Sequence, residues 1–307
     1  MNQPRVSIII LNWNGLDHAL ECLESLKKIV YPNYDVIVVD NASKGDDAKI
    51  LRQKFGDYVH VIENDKNYGF AEGNNIGMRY ALRTFSPAYL LLLNNDTVVA
   101  PDFLDELVKV AESSTEIGIV GPKIYYYDFE GHKDIIWFAG GKIDWWRWWI
   151  YSHIGTNDSD MPQYHHIANV DWISGAALMI KRSVIEKISF LDSSYFSGNE
   201  DVDYCLKARK YGFRNVYVPT ARVWHKVGMA RMKLGAPDRK HDPNFVSLFP
   251  YYRFIRRNFS LPVYMYHLML LPLILFRWGI SYLVKRRDKK TLVTFIRSLW
   301  PGQKQHI

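Results

Sequence analysis

Cysteine is nearly absent: Cys22 and Cys205 are the only two in 307 residues, and each sits in a helical pattern among aliphatic neighbours. A disulfide scaffold is thereby excluded, and buried thiols in a reducing, cytosol-facing compartment are expected. No basic segment followed by an apolar stretch opens the chain, since Val6–Leu11 is too short for the core of a signal peptide and reads as a strand. There is no fixed-period repeat, which excludes a solenoid. Neither the Walker phosphate loop nor the G-x-G-x-x-G dinucleotide fingerprint occurs, and no run of Pro, Gly and Ser divides residues 1–228. With 48% hydrophobic and 23% charged residues, the composition is that of a folded chain.

Charge is sorted along the sequence. From Tyr251 onward eleven Lys/Arg face a single acid, Asp288, so the tail holds +10 of a chain whose total is +7, and the first 250 residues are net −3. Basic tails serve nucleic acid or anionic membranes, and the residues between the charges decide between them. Pro262–Val284 reads PVYMYHLMLLPLILFRWGISYLV, with Arg253, Arg256 and Arg257 before it and Lys285, Arg286, Arg287, Lys289 and Lys290 after it. That pattern points to a membrane surface and away from nucleic acid. Spanning takes about 20 apolar residues. Here His267, Pro272 and Arg277 interrupt the run, and basic clusters on both flanks conflict with the positive-inside rule. Residues 229–307 are therefore expected to form a membrane-associated helical tail, as an interfacial helix or kinked re-entrant hairpin. A single span, or a tail packed on the protein's own core, are the alternatives.

Ahead of the tail, strands and helices alternate. Strands are predicted over Val6–Leu11, Asp35–Val39, Tyr58–Ile62, the leucine run from Tyr89, and Ile117–Val120; helices over Gly15–Lys28, Asp46–Phe55, Gly73–Thr84 and Asp102–Ala111. Alternation with short connections specifies an α/β fold with a mostly parallel sheet flanked by helices. Beyond Pro122 the chain turns aromatic, with Tyr125–Tyr127, Trp137 and Trp145–Tyr151. Strands are expected there over Val170–Ile173, Ala176–Ile180, Val216–Val218 and Arg222–Trp224, and a helix over Glu200–Lys210. Residues 1–121 and 122–228 thus read as two halves of one domain.

The richest segment is Tyr89–Thr97, YLLLLNNDT, where a strand buried on both faces stops at Asn94, Asn95 and Asp96. Asn12 with Asn14 follows the first strand, and Asp40 with Asn41 the second. One polar strand end is turn or cap chemistry. Three at the carboxyl edge of a parallel sheet make a site for a polar ligand, where Asp40 can accept from a base imide or a ribose hydroxyl and Asp96 can hold a cation against a diphosphate. Asn67–Asn75, NYGFAEGNN, adds a glycine-containing loop running into a helix, which suits a nucleotide without naming one. Glu200, Asp201 and Asp203 open a helix, either as simple helix-start charge or as the source of a general base. His225 closes a short strand as a metal ligand or a structural histidine.

Taken together these segments resemble the family 2 glycosyltransferases of the A-type glycosyltransferase fold, particularly rhamnosyltransferase-like members. The matching pieces are VSIIILNWNG, VVDNAS, NYGFAEGNN, LLLNND, SGAALMIKR, NEDVDYCLKARKYGF and VWH, collinear over residues 5–228. The resemblance implies that residues 1–121 hold the nucleotide-sugar half of a catalytic domain and 122–228 the acceptor half. The donor would meet Asn12, Asn14, Asp40, Asn41, Asn67, Gly69, Phe70, Asn74 and Asn95, with Asp40 on the base and Asn95 on the ribose. Asp96 and His225 would hold Mg²⁺ or Mn²⁺ on the diphosphate. Asp201, with Glu200 beside it, would supply the base, and Trp172, Ser174 and Gly175 would underlie the acceptor. The Asp-x-Asp pattern of the family stands here as Asn94-Asn95-Asp96, which keeps only the last carboxylate. Trp145–Trp149 reads either as a lid over the acceptor or as a membrane-interface anchor.

The implied activity is inverting, metal-dependent transfer of a sugar, rhamnose among the candidates, from a dTDP- or UDP-linked donor. The acceptor would be a lipid-linked or polysaccharide hydroxyl at the cytoplasmic face of the cell membrane. Two other readings compete. A sugar-1-phosphate nucleotidyltransferase would need a basic phosphate loop after the first strand, where Asn12-Trp13-Asn14-Gly15 stands instead. A non-catalytic nucleotide-sugar-binding module would be marked by loss of Asp96 or Asp201, and both are present.

Overall fold

Four of the expected strands pair in parallel, and their order brings the polar ends together. The computed structural model describes residues 3–144, 146–147, 150–227 and 248–280. Strands β1 (Val6–Asn12), β2 (Tyr34–Asp40), β3 (Val59–Glu63) and β4 (Tyr89–Asn94) lie in the order β3-β2-β1-β4. The sheet continues through β11 (Ala177–Lys181), antiparallel to β4 and to β6 (Ile117–Tyr126), then β12 (Arg214–His225), parallel to β6, and β10 (Ala168–Val170) at the edge. Short β5 (Thr97–Val99) pairs with β12, and β7 (Ile136–Phe138) with β6. A separate hairpin joins β8 (Gly141–Ile143) to β9 (Tyr151–His153). This is an α/β fold, parallel where nucleotide binding was expected and mixed beyond it.

The helices are α1 (Leu16–Leu26), α2 (Asp47–Phe55), α3 (Gly69–Thr84), α4 (Phe103–Glu112), α5 (Arg182–Ile188) and α6 (Glu200–Lys210). Helix α1 buries Ala19, Cys22, Leu23 and Leu26 at helical spacing. Both cysteines are free thiols in the interior, and burial pushes the Cys22 thiol up to about 12. Three elements depart from expectation. Helix α3 begins four residues before Gly73, because the Phe70 amide donates to the Phe196 carbonyl and fixes the first turn. The strand expected over Val170–Ile173 ends at Val170, since Asp171 and Trp172 exchange main-chain bonds with Gly141 instead. Val216–Val218 and Arg222–Trp224 belong to one strand, β12, with an irregularity between them.

Residues 1–144 and 151–230 form one compact unit, and β6 runs unbroken through the 121/122 boundary. A second unit comprises 145–150 and 231–307. Within it α7 (Leu248–Asn258) packs on α8 (Leu261–Ile280), with Tyr252 donating to the His267 carbonyl at 2.9 Å. The Tyr251 hydroxyl also accepts from the Ile150 amide at 3.1 Å. Among the described residues no helix is long and apolar enough to cross a membrane. The basic residues Lys285–Lys290 and Trp145, Trp148 and Trp149 lie outside the described residues.

Close approach of α3 to the sheet depends on Gly77, where a Cβ would stand 2.6 Å from Ile9 Cγ2 and 3.0 Å from Val39 Cγ2. Gly77→Val is expected to cost about 1–3 kcal/mol by overpacking, read as a lower denaturation midpoint. An unchanged midpoint would mean that helix and sheet do not touch there.

Candidate active site

Register builds the site. Asn12 lies opposite Asp40 across β1–β2, and Leu11 opposite Asn94 across β1–β4, so the three polar ends sit level on the carboxyl edge. Asn12 is the hub: its Nδ2 donates to Asp40 Oδ1 at 3.0 Å and Asp47 Oδ2 at 2.9 Å, and its Oδ1 accepts from Asn95 Nδ2 at 2.9 Å. Asp40 Oδ1 also accepts from Ser43 Oγ at 2.6 Å, and Oδ2 from the Ser43 amide at 3.0 Å. That leaves lone-pair capacity on Oδ2 of a buried carboxylate. Asn14, at φ +51°, clips the two loops together by donating its amide to Ser43 Oγ and accepting from the Lys44 amide.

After Asn94 the chain reverses in a tight turn at Asn95–Asp96 and enters β5, which pairs with β12 so that Thr97 faces His225. This pairing brings His225 Nε2 to 3.0 Å from Asp96 Oδ1 and 3.4 Å from Asn94 Nδ2, with the imidazole edge-on to Trp137 at 4.6 Å. Nε2 cannot donate to Asp96 and accept from Asn94 at once, and Nδ1 is buried without a hydrogen-bond partner. An imidazole nitrogen and a carboxylate oxygen converge here, but among the described residues no cluster of three or more His, Cys, Asp or Glu side chains forms a full cation cage, so the pair fits a divalent cation only as two ligands that other oxygens would complete.

The glycine-containing loop is braced from within. Asn41 donates to Asn67 Oδ1 and the Gly69 carbonyl and accepts from Asn64 and the Tyr68 amide, while Asn67 Oδ1 also takes the Gly69 amide and Asn74 donates to the Phe70 carbonyl. Gly69 holds φ +78°, and a Cβ there would lie 2.3 Å from the Phe196 carbonyl oxygen. The first amides of α3, expected to attract phosphate, are thus engaged by Asn67 and Phe196. Asn41, Asn67, Asn74 and Gly69 shape the loop beside the edge through their own hydrogen bonds. The Phe70 ring approaches Gly175.

Loop 174–176 joins the end of β4 to the start of α6. The Asn94 amide donates to the Ala176 carbonyl, and the Gly175 amide donates to Asp201 Oδ2 at 2.8 Å. Asp201 Oδ1 accepts from the Val202 amide at 2.8 Å, so two main-chain donors aim the carboxylate. Before it Asn199, at φ +75°, accepts from the Tyr151 hydroxyl at 2.7 Å. Glu200 and Ser174 are buried beside these groups. Trp172 departs from the expectation of an acceptor platform: it is 2% exposed, lying over Gly141 among Phe138, Tyr151 and His153, and supports those rings from beneath.

Residues 4–241 match the family described as glycosyltransferase like family 2. The chain belongs to that family. Among its relatives, the low-salt glycan biosynthesis hexosyltransferase Agl10 of Haloferax volcanii is 29% identical over 67% of this chain and 62% of its own length. Rhamnosyltransferase WbbL of Escherichia coli is 28% identical over 72% of this chain and 83% of its own. The chain spans only 26% of another relative, the protein y4gI of Sinorhizobium fredii. In structure it is similar to GalNAc-T7 with UDP, GalNAc and Mn²⁺ (TM-score 0.60, 19% identity, 73% of this chain and 44% of that one). It is also similar to the mannosyltransferase PcManGT from Pyrobaculum calidifontis with GDP-Man and Mn²⁺ (TM-score 0.57, 16% identity, 99% and 89%). These likenesses carry the fold, the A-type glycosyltransferase fold.

The family pattern did not reveal several groups that complete the site. Ser43 and Asp47 hold the Asn12 hub, Tyr151 sets Asn199, and Lys226 beside His225 turns its ammonium to Glu21. Strand-to-helix serines and aspartates read as caps, which hid the first two. His153 was missed as well. Burial among aromatic rings depresses its pKa to about 4, despite a bond to the Trp137 carbonyl that favours the charged form. The unfolded chain takes up that proton near pH 6.5, so this stabilisation is present above 6.5 and is lost as pH falls toward 4. Between pH 7 and pH 5 the wild type should lose about 2 kcal/mol more than His153→Phe, measured by denaturant unfolding at both pH values. Equal losses would show that His153 is not held neutral.

Proposed function

We propose that the protein is an inverting glycosyltransferase that moves a sugar from a nucleoside diphosphate donor to a hydroxyl of a lipid-linked or polysaccharide acceptor at the cytoplasmic face of the membrane. The observation that carries this reading is the meeting of three groups on one sheet edge: the Asn12–Asp40 network, the Asp96–His225 pair and the Asp201 carboxylate. The names of the relatives support it, since one from Mycobacterium tuberculosis, 23% identical, is an N-acetylglucosaminyl-diphospho-decaprenol L-rhamnosyltransferase. The names of two relatives favour a rhamnosyl donor, which we take as dTDP-linked, and a UDP-hexose is the second choice.

Asp40 receives the base imide through Oδ2, and Asn95, oriented by Asn12, faces the ribose. Asp96 and His225 would hold Mg²⁺ or Mn²⁺, which when bound neutralises the charge of the departing diphosphate. Asp201 takes the proton from the acceptor hydroxyl as that oxygen bonds to the anomeric carbon and the bond to the diphosphate breaks. A single displacement inverts the configuration. The Gly175 and Val202 amides hold the carboxylate in place.

Asp201→Asn should lower the transfer rate by about 10²–10⁴-fold while leaving donor affinity intact in calorimetry; retained turnover would remove Asp201 as the base. For the donor site, Asp96→Ala should abolish the gain in donor affinity on adding Mn²⁺. If titrations of UDP- and dTDP-sugars respond to Mn²⁺ equally in both proteins, the assignment of Asp96 fails.

A further inference from the structure

Helix α8 is apolar but for His267 and Arg277, and its described side chains differ sharply in exposure. His267 is fully buried against α7, whereas Leu261, Met265, Met269, Leu273 and Phe276 are exposed, Met269 by 71% and Phe276 by 69%. At 100° per residue these five fall within one third of the helix circumference, a continuous stripe about 22 Å long. An exposed stripe of this kind marks an interaction surface. Along its flank Tyr266 stacks edge-on with Trp146 at 5.8 Å and donates to the Trp146 carbonyl, and Trp146 is 78% exposed. Solvent-facing Arg256 and Arg257 stand on α7, and Leu248–Ile280 contains four arginines and no acid.

We infer that α8 docks lengthwise by this stripe into one leaflet of an anionic bilayer. Three features select lipid over a protein partner or a second copy. An apolar stripe suits the acyl boundary, a Trp–Tyr pair with its tryptophan exposed suits the headgroup level, and solvent-facing arginines in helices without acids complement anionic lipid. A stripe confined to one third of the circumference, with His267 packed on α7, suits a helix lying in the interface plane. The docked face deepens the reading of a lipid-linked acceptor by naming the surface that brings the enzyme to it. Binding to vesicles uses neither donor nor acceptor, so the two readings fail separately.

The test is co-sedimentation of the full chain with vesicles of phosphatidylglycerol and phosphatidylcholine (one to one) or of phosphatidylcholine alone. Wild type should pellet with the anionic vesicles and less with the neutral ones. Met269→Glu/Phe276→Glu should weaken partitioning at least tenfold, and Arg256→Ala/Arg257→Ala should weaken it only on anionic vesicles. If the charged pair lowers the melting temperature, Met269→Gln carries the test, with a weakening of a few-fold expected. Wild type remaining in the supernatant with both vesicles would overturn the proposal, as would stripe variants that pellet like wild type. A wild-type dimer that Met269→Glu/Phe276→Glu converts to monomer would also overturn it, in favour of a second copy on the stripe.

Discussion

Burial of Tyr89–Leu93 on both faces of the sheet is the constraint from which the site follows. These five side chains are at most 2% exposed, and β4 is hydrogen-bonded on both sides, to β1 and to β11. Strand side chains alternate faces, so a slip of one residue would reverse every leucine and draw Asn94 into the core. An amide stranded there costs about 1–3 kcal/mol. With β4 so pinned, the turn at Asn95–Asp96 has one position, β5 leaves it toward β12, and His225 arrives beside Asp96. Both the Asn12–Asp40 network and the Asp96–His225 pair are thus consequences of where a leucine run is allowed to stop.

That part of the fold was legible because it is written in local pattern. Each of β1, β2 and β4 passes abruptly from aliphatic to polar, and the parallel order follows from the helices between them. Pairings distant in sequence were not legible in the same way. Nothing near Thr97 announces β12, and the Asp96–His225 pair was foreseen only through the family resemblance. Composition did not foretell the burial of Trp172 or the intraloop bonds of the asparagines in the glycine-containing loop. A tryptophan's type does not say which face it presents, and the missing side chain of Gly141 lets this ring lie flat against the backbone. Loop amides and carbonyls next to a sheet edge need partners of their own, and Asn41 and Asn67 satisfy them before any ligand does.

The asparagines at 94 and 95, the first standing where the Asp-x-Asp pattern has a carboxylate, have a physical logic in the Asn12 hub. Asn12 has two amide hydrogens and gives both to carboxylates, Asp40 and Asp47, so its oxygen must find a donor elsewhere. Asn95 supplies that donor. An aspartate at 95 would offer only acceptors. It would then repel the Asn12 oxygen or force the amide to turn, withdrawing its hydrogens from Asp40 and Asp47 and leaving three carboxylates near one another without a shared donor. Asn94 likewise brings an amide nitrogen, where a carboxylate would add a second negative charge beside Asp96 and the imidazole of His225. The asparagines therefore lower the charge of the edge and couple its two ends: the Asn12 amide that orients Asn95 is the one that holds Asp40. An edge built this way leaves Asp96 as the one carboxylate of the 94–96 turn and uses neutral amides to position the rest.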